Sequence, residues 1–220
     1  MVGPWLQSVE LVAQPDLLLS SPDGTLAAIA PMLNQVVGID LDSGVDVRRL
    51  NAVVSSDGGQ EGHGTQLVIG SRPDLVFEEL DRFAVVAVGP GLPVGQVPPE
   101  RNPAAVVGGH GFSDTSGAPE TSFSMQTVDD WGIDDVMAAA LDLASRQSRG
   151  LAVLFDLAVL DPAFDDERTT PGGLDLRRLF RAARACGRRP DVAAAGFVKA
   201  GSEINLVHAV LSFCAGLAGR

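Results

Sequence analysis

Tyrosine is absent from this 220-residue sequence, and cysteine occurs only twice. The first absence carries no chemistry. The second does: Cys186 and Cys214 stand alone, each in a stretch that reads as helix, with no C-x-x-C pair or metal-type spacing. Both are expected to be core thiols in a reducing cytoplasm, because free cysteine packs as a small hydrophobe. Basic residues are also scarce. Lys and Arg number 16 against 28 Asp and Glu, a net charge of -12. A phosphate backbone needs clustered cations, so nucleic acid is not an expected partner. No apolar run approaches the ~18 residues that span a bilayer. Pro4 and Glu10 stand where a signal peptide would place a basic start and an apolar core. The expectation is a soluble, cytoplasmic protein without membrane contact.

What is present suits one core. With 45% hydrophobic side chains, a chain of this length can form a single domain, residues 1–220. Short apolar runs ending in turn residues alternate with amphipathic stretches, the pattern of a mostly parallel sheet covered by helices. Strands are predicted at 17–19, 36–39, 84–88, 151–155 and 193–198, and helices at 25–33, 74–81, 132–147, 174–186 and 203–217. The segment from Gly89 to Thr121, rich in Gly, Pro and Ser, reads as a long surface excursion.

In an open parallel sheet, ligands bind beyond the carboxyl ends of the strands. The residues there are repeatedly acidic: Asp23 after one predicted strand, Asp40 and Asp42 after the next, and Asp156 after Phe155. Taken singly, each also suits a helix N-cap. Together they point to a site. In "LFDLAVLDPAFDDERTTPGGLDL" the apolar run delivers Asp156, yet the residue two positions on, where a second acid would complete a ligand pair, is Ala158.

The order of motifs resembles the arginase and agmatinase family, the ureohydrolases. "FDLAVLDPAF" is similar to that family's S-F-D-x-D-x-L-D-P-x-F. "TTPGGLDLRRLFRAAR" is similar to its T-P-x-P-G-G-L and the helix after it, and "FSMQTVDDWGIDDVMAAAL" to the preceding segment. "EGHGTQL" resembles its H-G loop, "VVGIDLDSGVD" its D-A-H-x-D strand, and "LLLSSPDGTLAAIA" its G-G-D-H-S region. The resemblance spans nearly the whole chain and is strongest from 123 to 185. It implies a three-layer α/β/α sandwich around a mostly parallel sheet, shorter at the N-terminus than is usual in the family. Edge strands would then be missing and would need cover, which leads to an expectation of self-association.

The resemblance also implies chemistry. Family members hydrolyse a guanidino or related amidine group with a hydroxide held between two manganese ions, which lower the pKa of the bridging water. Carried over position by position, the family's His of G-G-D-H-S is Asp23 here. The first Asp of D-A-H-x-D is kept as Asp40, its His is Asp42 and its last Asp is Gly44. The first Asp of D-x-D is kept as Asp156, and the second is Ala158. Gly44 and Ala158 have no ligand atoms, and Asp does not replace imidazole at a transition metal. A complete dinuclear manganese site is therefore not expected. Asp23, Asp40, Asp42 and Asp156 could instead hold one divalent cation, Mn²⁺, Mg²⁺ or Ca²⁺, because oxygen-only cages suit hard ions. Without metal they would repel one another. Lys199, in the position of the family's substrate-contacting acid, could then neutralise part of the cluster, or the acids could simply be solvated. The alternative for Lys199 is a stem snorkelling from a strand end.

His63 matches the family histidine that shuttles protons, although a loop His flanked by Gly is also an ordinary exposed turn residue. His110 lies near Ser113 and Asp114 in sequence, which does not make a triad, since triads are assembled in space. His208, in an apolar helical pattern, reads as structural. Gly172 and Gly173 read as permitting backbone angles closed to other residues, Asp161 and Pro162 as turn determinants, and Asp175 or Leu174 as the start of the following helix.

Two functional readings follow. In the first, the chain is an arginase-family protein whose ancestral C–N hydrolysis is lost or weakened, serving as a binder of a small guanidino-type molecule, a homo-oligomer or a partner of an active paralogue. In the second, it is a diverged single-metal amidinohydrolase using Asp40, Asp156 and His63.

Overall fold

The computed structural model describes residues 5–11, 18–20, 47–55, 64–90, 103–109, 121–147, 150–164, 171–198 and 200–217. Among them, nine strands form one sheet: β1 (Trp5–Leu11), β2 (Leu18–Ser20), β3 (Val47–Ser55), β4 (Gly64–Gly70), β5 (Ala84–Val88), β6 (Ala105–Gly109), β7 (Ser122–Ser124), β8 (Leu151–Asp156) and β9 (Val192–Val198). Five helices accompany them: α1 (Pro73–Leu80), α2 (Met125–Trp131), α3 (Ile133–Ser145), α4 (Leu176–Gly187) and α5 (Glu203–Leu217). The strand order is β2-β1-β3-β4-β9-β8-β5-β6-β7. Every pairing from β4 to β7 is parallel, whereas β2, β1 and β3 join by antiparallel pairing. The expected three-layer sandwich with a mostly parallel sheet is what forms.

The central strands follow from their composition. All five residues of β5 and the first five of β8 are buried, as strands sandwiched on both faces must be, and their Ala, Val, Leu and Phe side chains supply apolar surface to either side. One face, including Val86, Val153, Phe155 and Phe197, packs under α2 to α5. The other, including Val68, Ala152, Leu154 and Ala194, packs under Val76, Phe77 and Leu80 of α1. Helix α3 buries Ile133, Val136, Met137, Ala140, Leu141 and Ala144, an apolar stripe at helical spacing. Phe155 stacks on Phe197 at 5.3 Å between ring centres, and Phe197 meets Phe213 edge-on at 5.9 Å. That column ties β8 and β9 to α5, and burying each ring contributes roughly 1.5–3 kcal/mol.

Three expectations need correction. The Gly89–Thr121 segment is not wholly a surface excursion: β6 lies inside it and inserts beside β5, with Ala105, Val106 and Val107 buried. Its apolar run is too short to show a period. The helix predicted at 132–147 starts at Ile133, because Gly132 adopts φ +88°, and a separate α2 precedes it, capped by the Ser124 hydroxyl accepting from Thr127 N at 3.2 Å. β1, β3, β4 and β7 were not predicted, since their runs mix polar with apolar residues and form through their neighbours. The predicted helix at 25–33 and strand at 36–39 lie outside the described residues.

Candidate functional site

Sequence order and spatial order diverge between β5 and β8. After β5 the chain runs outward to β6 and β7. It then returns on the other side of β5 to form β8, and continues away to β9. Such a reversal opens a crevice at the carboxyl ends of the two strands, the usual ligand position in an open α/β sheet. Val88 of β5 is in register with Phe155 of β8, and Asp156 with Val198 of β9. Asp156 therefore stands at the switch point, half-buried.

The backbone around Asp156 is fixed by local bonds. One carboxylate oxygen, Oδ1, accepts from Ala158 N at 2.9 Å and so caps a single 3-10 turn, Leu157–Val159. Leu157 and Val159 are fully buried on either side. Ala158 is half-buried, and its methyl packs against the main core cluster. Gly89 faces Asp156 across the crevice: a Cβ there would lie 3.1 Å from the Asp156 Cβ, so glycine keeps the acid's flank open. Val159 in turn occupies the space beside Gly108, where a Cβ would stand 2.8 Å from the valine Cγ2.

Beyond the turn, a clasp secures the loop. Leu174 N donates to Val159 O at 2.8 Å, and Asp161 N donates to Leu174 O at 3.0 Å. The Asp161 carboxylate accepts from Ala163 N at 2.9 Å and from Gly172 N at 2.8 Å. The two glycines of "PGGL" serve different ends. Gly172 adopts φ +96° with nothing near its missing side chain. Gly173 has no positive φ and is small because a Cβ would stand 2.3 Å from Val159 O. Conformational freedom, expected for both, applies to the first alone. Asp175, one of the two helix starts the sequence offered, caps α4 by accepting from Arg178 N at 2.7 Å.

Of the residues singled out as metal, catalytic or substrate ligands, Asp156 alone lies among those described. Asp23, Asp40, Asp42, His63 and Lys199 lie outside them, as do His110, Ser113 and Asp114. Their described neighbours fix two relations. β9 ends at Val198, level with Asp156, so the strand preceding Lys199 finishes at the switch-point edge. Gly64, which follows His63, opens β4 at the opposite edge, since Gly70 at the far end of that strand is the residue level with Val198. Among the described residues no group of three or more His, Cys, Asp or Glu could hold a metal ion. At this part of the site a dinuclear centre of the family pattern does not fit: Asp156 offers one carboxylate and Ala158 offers no donor.

Other side chains are placed clearly. Cys186 and Cys214 are fully buried, which pushes both thiols up to about 12. His208 is exposed, its ring stacked on Phe180 at 5.8 Å between centres. Sequence reasoning missed Asn205, which is 7% exposed and donates through Nδ2 to Phe164 O at 3.2 Å, tying α5 to the loop after β8. An amide in a largely apolar helix was its only cue. It also missed Gly89, whose role depends on a strand distant in sequence. Among the described residues no helix is long and apolar enough to cross a membrane.

Comparison with known proteins bears on this geometry. Among solved structures, arginase from Bacillus subtilis subsp. subtilis str. 168 is similar, with a TM-score of 0.56 at 15% identity over 92% of this chain and 80% of that one. Formimidoylglutamase from the same strain matches with a TM-score of 0.54 at 13% identity, over 68% of this chain. A formiminoglutamase variant from Trypanosoma cruzi with Mn²⁺ matches at 0.51 and 15% identity, over 70% of this chain. The chain spans 59% of the length of the first formimidoylglutamase and 65% of the second. No curated protein matches. The fold and the order of its strand-end motifs agree with the match of the Arginase family profile to residues 24–201, well over half the chain, and the protein belongs to the Arginase family, with the ureohydrolase fold.

Proposed function

We propose that this chain is a non-catalytic member of the Arginase family, in which metal-dependent hydrolysis of a guanidino or amidine C–N bond has been lost or greatly weakened. The observation that carries the reading is the turn after β8. Where the family pattern places a second ligand two residues beyond the retained acid, half-buried Ala158 packs its methyl against the core cluster and gives its backbone N–H to Asp156. Membership of a hydrolase family does not of itself confer the reaction, which belongs to the site rather than the fold. On this reading the protein binds a small guanidino-type molecule at the switch point, or serves as a subunit of its own oligomer or of an active paralogue. It contacts neither nucleic acid nor membrane and works in the cytoplasm.

A second reading draws on Asp156 itself. It stands half-buried at the switch point with Gly89 holding its flank open, a place where one divalent cation, Mn²⁺, Mg²⁺ or Ca²⁺, would find a carboxylate. Asp23, Asp40 and Asp42 would complete the cage, and Lys199 would meet the substrate. Such a single-metal amidinohydrolase would still need a proton carrier; His63 is the candidate from the family pattern, but its neighbour Gly64 opens β4 at the edge opposite Asp156, which counts against this reading.

Metal content of the purified protein by mass spectrometry, followed by calorimetric titration with Mn²⁺, Mg²⁺ and Ca²⁺, separates the two. The non-catalytic reading expects no tight stoichiometric cation and no urea or ammonia from guanidino compounds. It also expects Asp156→Asn to keep the turn after β8, because Asn retains an oxygen that accepts from Ala158 N. Tight Mn²⁺ binding that Asp156→Asn abolishes, together with urea release, would overturn it.

A further inference from the structure

Helix α4 carries a charge opposite to that of the chain as a whole. Of 16 Lys and Arg, six fall at 177, 178, 181, 184, 188 and 189, and no acid lies between Leu176 and Gly187. They separate by direction. Arg178 leans to Asp129 at 2.5 Å, and Arg189 to Asp142 and Asp191 at 2.8 Å. The other four, Arg177, Arg181, Arg184 and Arg188, recur at i, i+4, i+7 and i+11. That spacing sets them in one stripe, opposite the buried face of Leu179, Ala182, Ala183 and Cys186. All four are exposed. Arg181 pairs with Asp134, while no ion pair among the described residues holds Arg177, Arg184 or Arg188.

Helix stability accounts for only part of this stripe: Arg184 and Arg188 lie at the C-terminal end, where the helix dipole favours a cation. Like charges three and four residues apart repel, and Arg177 lies in the first turn, where the helix dipole disfavours a cation. The exposed positions of α4 are all arginine, and no acid lies within the helix to relieve the repulsion. Arginine, unlike lysine, presents a rigid fork that pairs with carboxylates in two parallel hydrogen bonds. We infer that the arginine stripe of α4 is a docking surface for an acidic helix of a partner protein, with carboxylates at the same i, i+4, i+7 and i+11 spacing over about 16 Å. Polyanions fit less well. The net charge of -12 repels an extended phosphate backbone or an anionic membrane at long range, whereas one acidic helix engages the stripe within a screening length. The inference does not depend on whether the switch-point site binds metal.

The test uses the full chain and a fluorescein-labelled helical peptide of Ala and Gln bearing Glu at those four positions, followed by fluorescence anisotropy. Binding is expected to weaken with added salt. It should also weaken about tenfold or more in Arg177→Gln/Arg184→Gln/Arg188→Gln, and to stay unchanged in Arg82→Gln, which removes charge elsewhere. The triple variant should melt no lower than the parent, since it removes repelling charges. Two arms need no variant: a peptide of the same composition with its glutamates spread round the helix, and one with Lys in place of Glu. Equal binding of the spread peptide would overturn the inference. So would binding unaffected by the triple substitution, or tighter binding of a short single-stranded RNA or of phosphatidylserine vesicles than of the peptide.

Discussion

Gly173→Ala should be among the most damaging single-methyl additions in the described structure, and the reason is local. A Cβ at that position would stand 2.3 Å from Val159 O, 2.7 Å from Asp161 N and 2.7 Å from the Leu160 carbonyl carbon. These are backbone atoms and cannot rotate aside. To restore a contact of 3.0 Å the segment around Leu174 must withdraw from Val159 by about 0.7 Å, which stretches the 2.8 Å bond from Leu174 N and the 3.0 Å bond from Asp161 N. Leu160 and Leu174 are fully buried, so water does not readily replace what is lost. Two weakened hydrogen bonds cost about 1–3 kcal/mol together. Forced overpacking adds roughly 1–3 kcal/mol, so a loss of about 2–6 kcal/mol is expected. Gly172→Ala is the internal control. Nothing lies within 4 Å of its missing Cβ, and its φ of +96° is the sole penalty, roughly 1–2 kcal/mol. Urea unfolding followed by circular dichroism, with unchanged m-values, measures both. If Gly173→Ala cost no more than Gly172→Ala, the clasp geometry argued here would be wrong.

Two further outcomes are expected. Arg189 donates to Asp191 through Nε and Nη2 at 2.9 and 2.8 Å and to Asp142 through Nη1 at 2.8 Å, so Arg189→Ala should lower stability by about 1 kcal/mol, a modest figure because the pairs are solvent-screened. Arg189→Lys should recover only part of it, and full recovery would count against the bidentate role. The hydrogen bond from Arg189 holds the Asp191 carboxyl below its usual range. A depressed folded-state pKa contributes stability above the unfolded value of about 4, and that stability disappears as pH falls through the folded value, so the gap between parent and Arg189→Ala should close below about pH 4. Burial pushes Cys186 and Cys214 up to about 12, so at pH 8 native protein should resist a thiol-disulfide reagent, with labelling only at the rate of unfolding; rapid stoichiometric labelling of folded protein would refute that.

What the sequence made legible follows from how local each determinant is. β5 and β8 are continuous apolar runs bounded by turn residues, α3 shows a long helical stripe and α5 a long, largely apolar run, so each announces itself. β6 did not. Its five residues, two of them glycine, are a strand because β5 and β7 flank it on either side, and a short run carries no period of its own. The break between α2 and α3 rests on one backbone angle at Gly132, where the predicted helix begins, and nothing in the local pattern announces the short helix before it. Asp156 was legible as the acid ending a buried strand. Gly89 was not, because the reason for its smallness lies across the crevice, 67 residues away by number (156 less 89).

The same distinction explains why scaffold and ligand set can part company in this fold. Asp161, Gly172, Gly173 and Asp175 satisfy backbone groups or fill no space at all, and these demands exist whether or not a cation is bound. Replacing any of them costs stability at once. A ligand pair imposes the opposite demand, since two carboxylates brought together repel unless a cation lies between them. At position 158 the side chain packs against the main core cluster, between the buried Leu157 and Val159. A carboxylate there would either give up part of its hydration or pull the turn away from the core, and without metal neither cost is offset. Alanine avoids both while leaving its N–H on Asp156. The turn after β8 is therefore compatible with a stable, metal-free protein, and the retained acid within it is held by the fold's own hydrogen bonding.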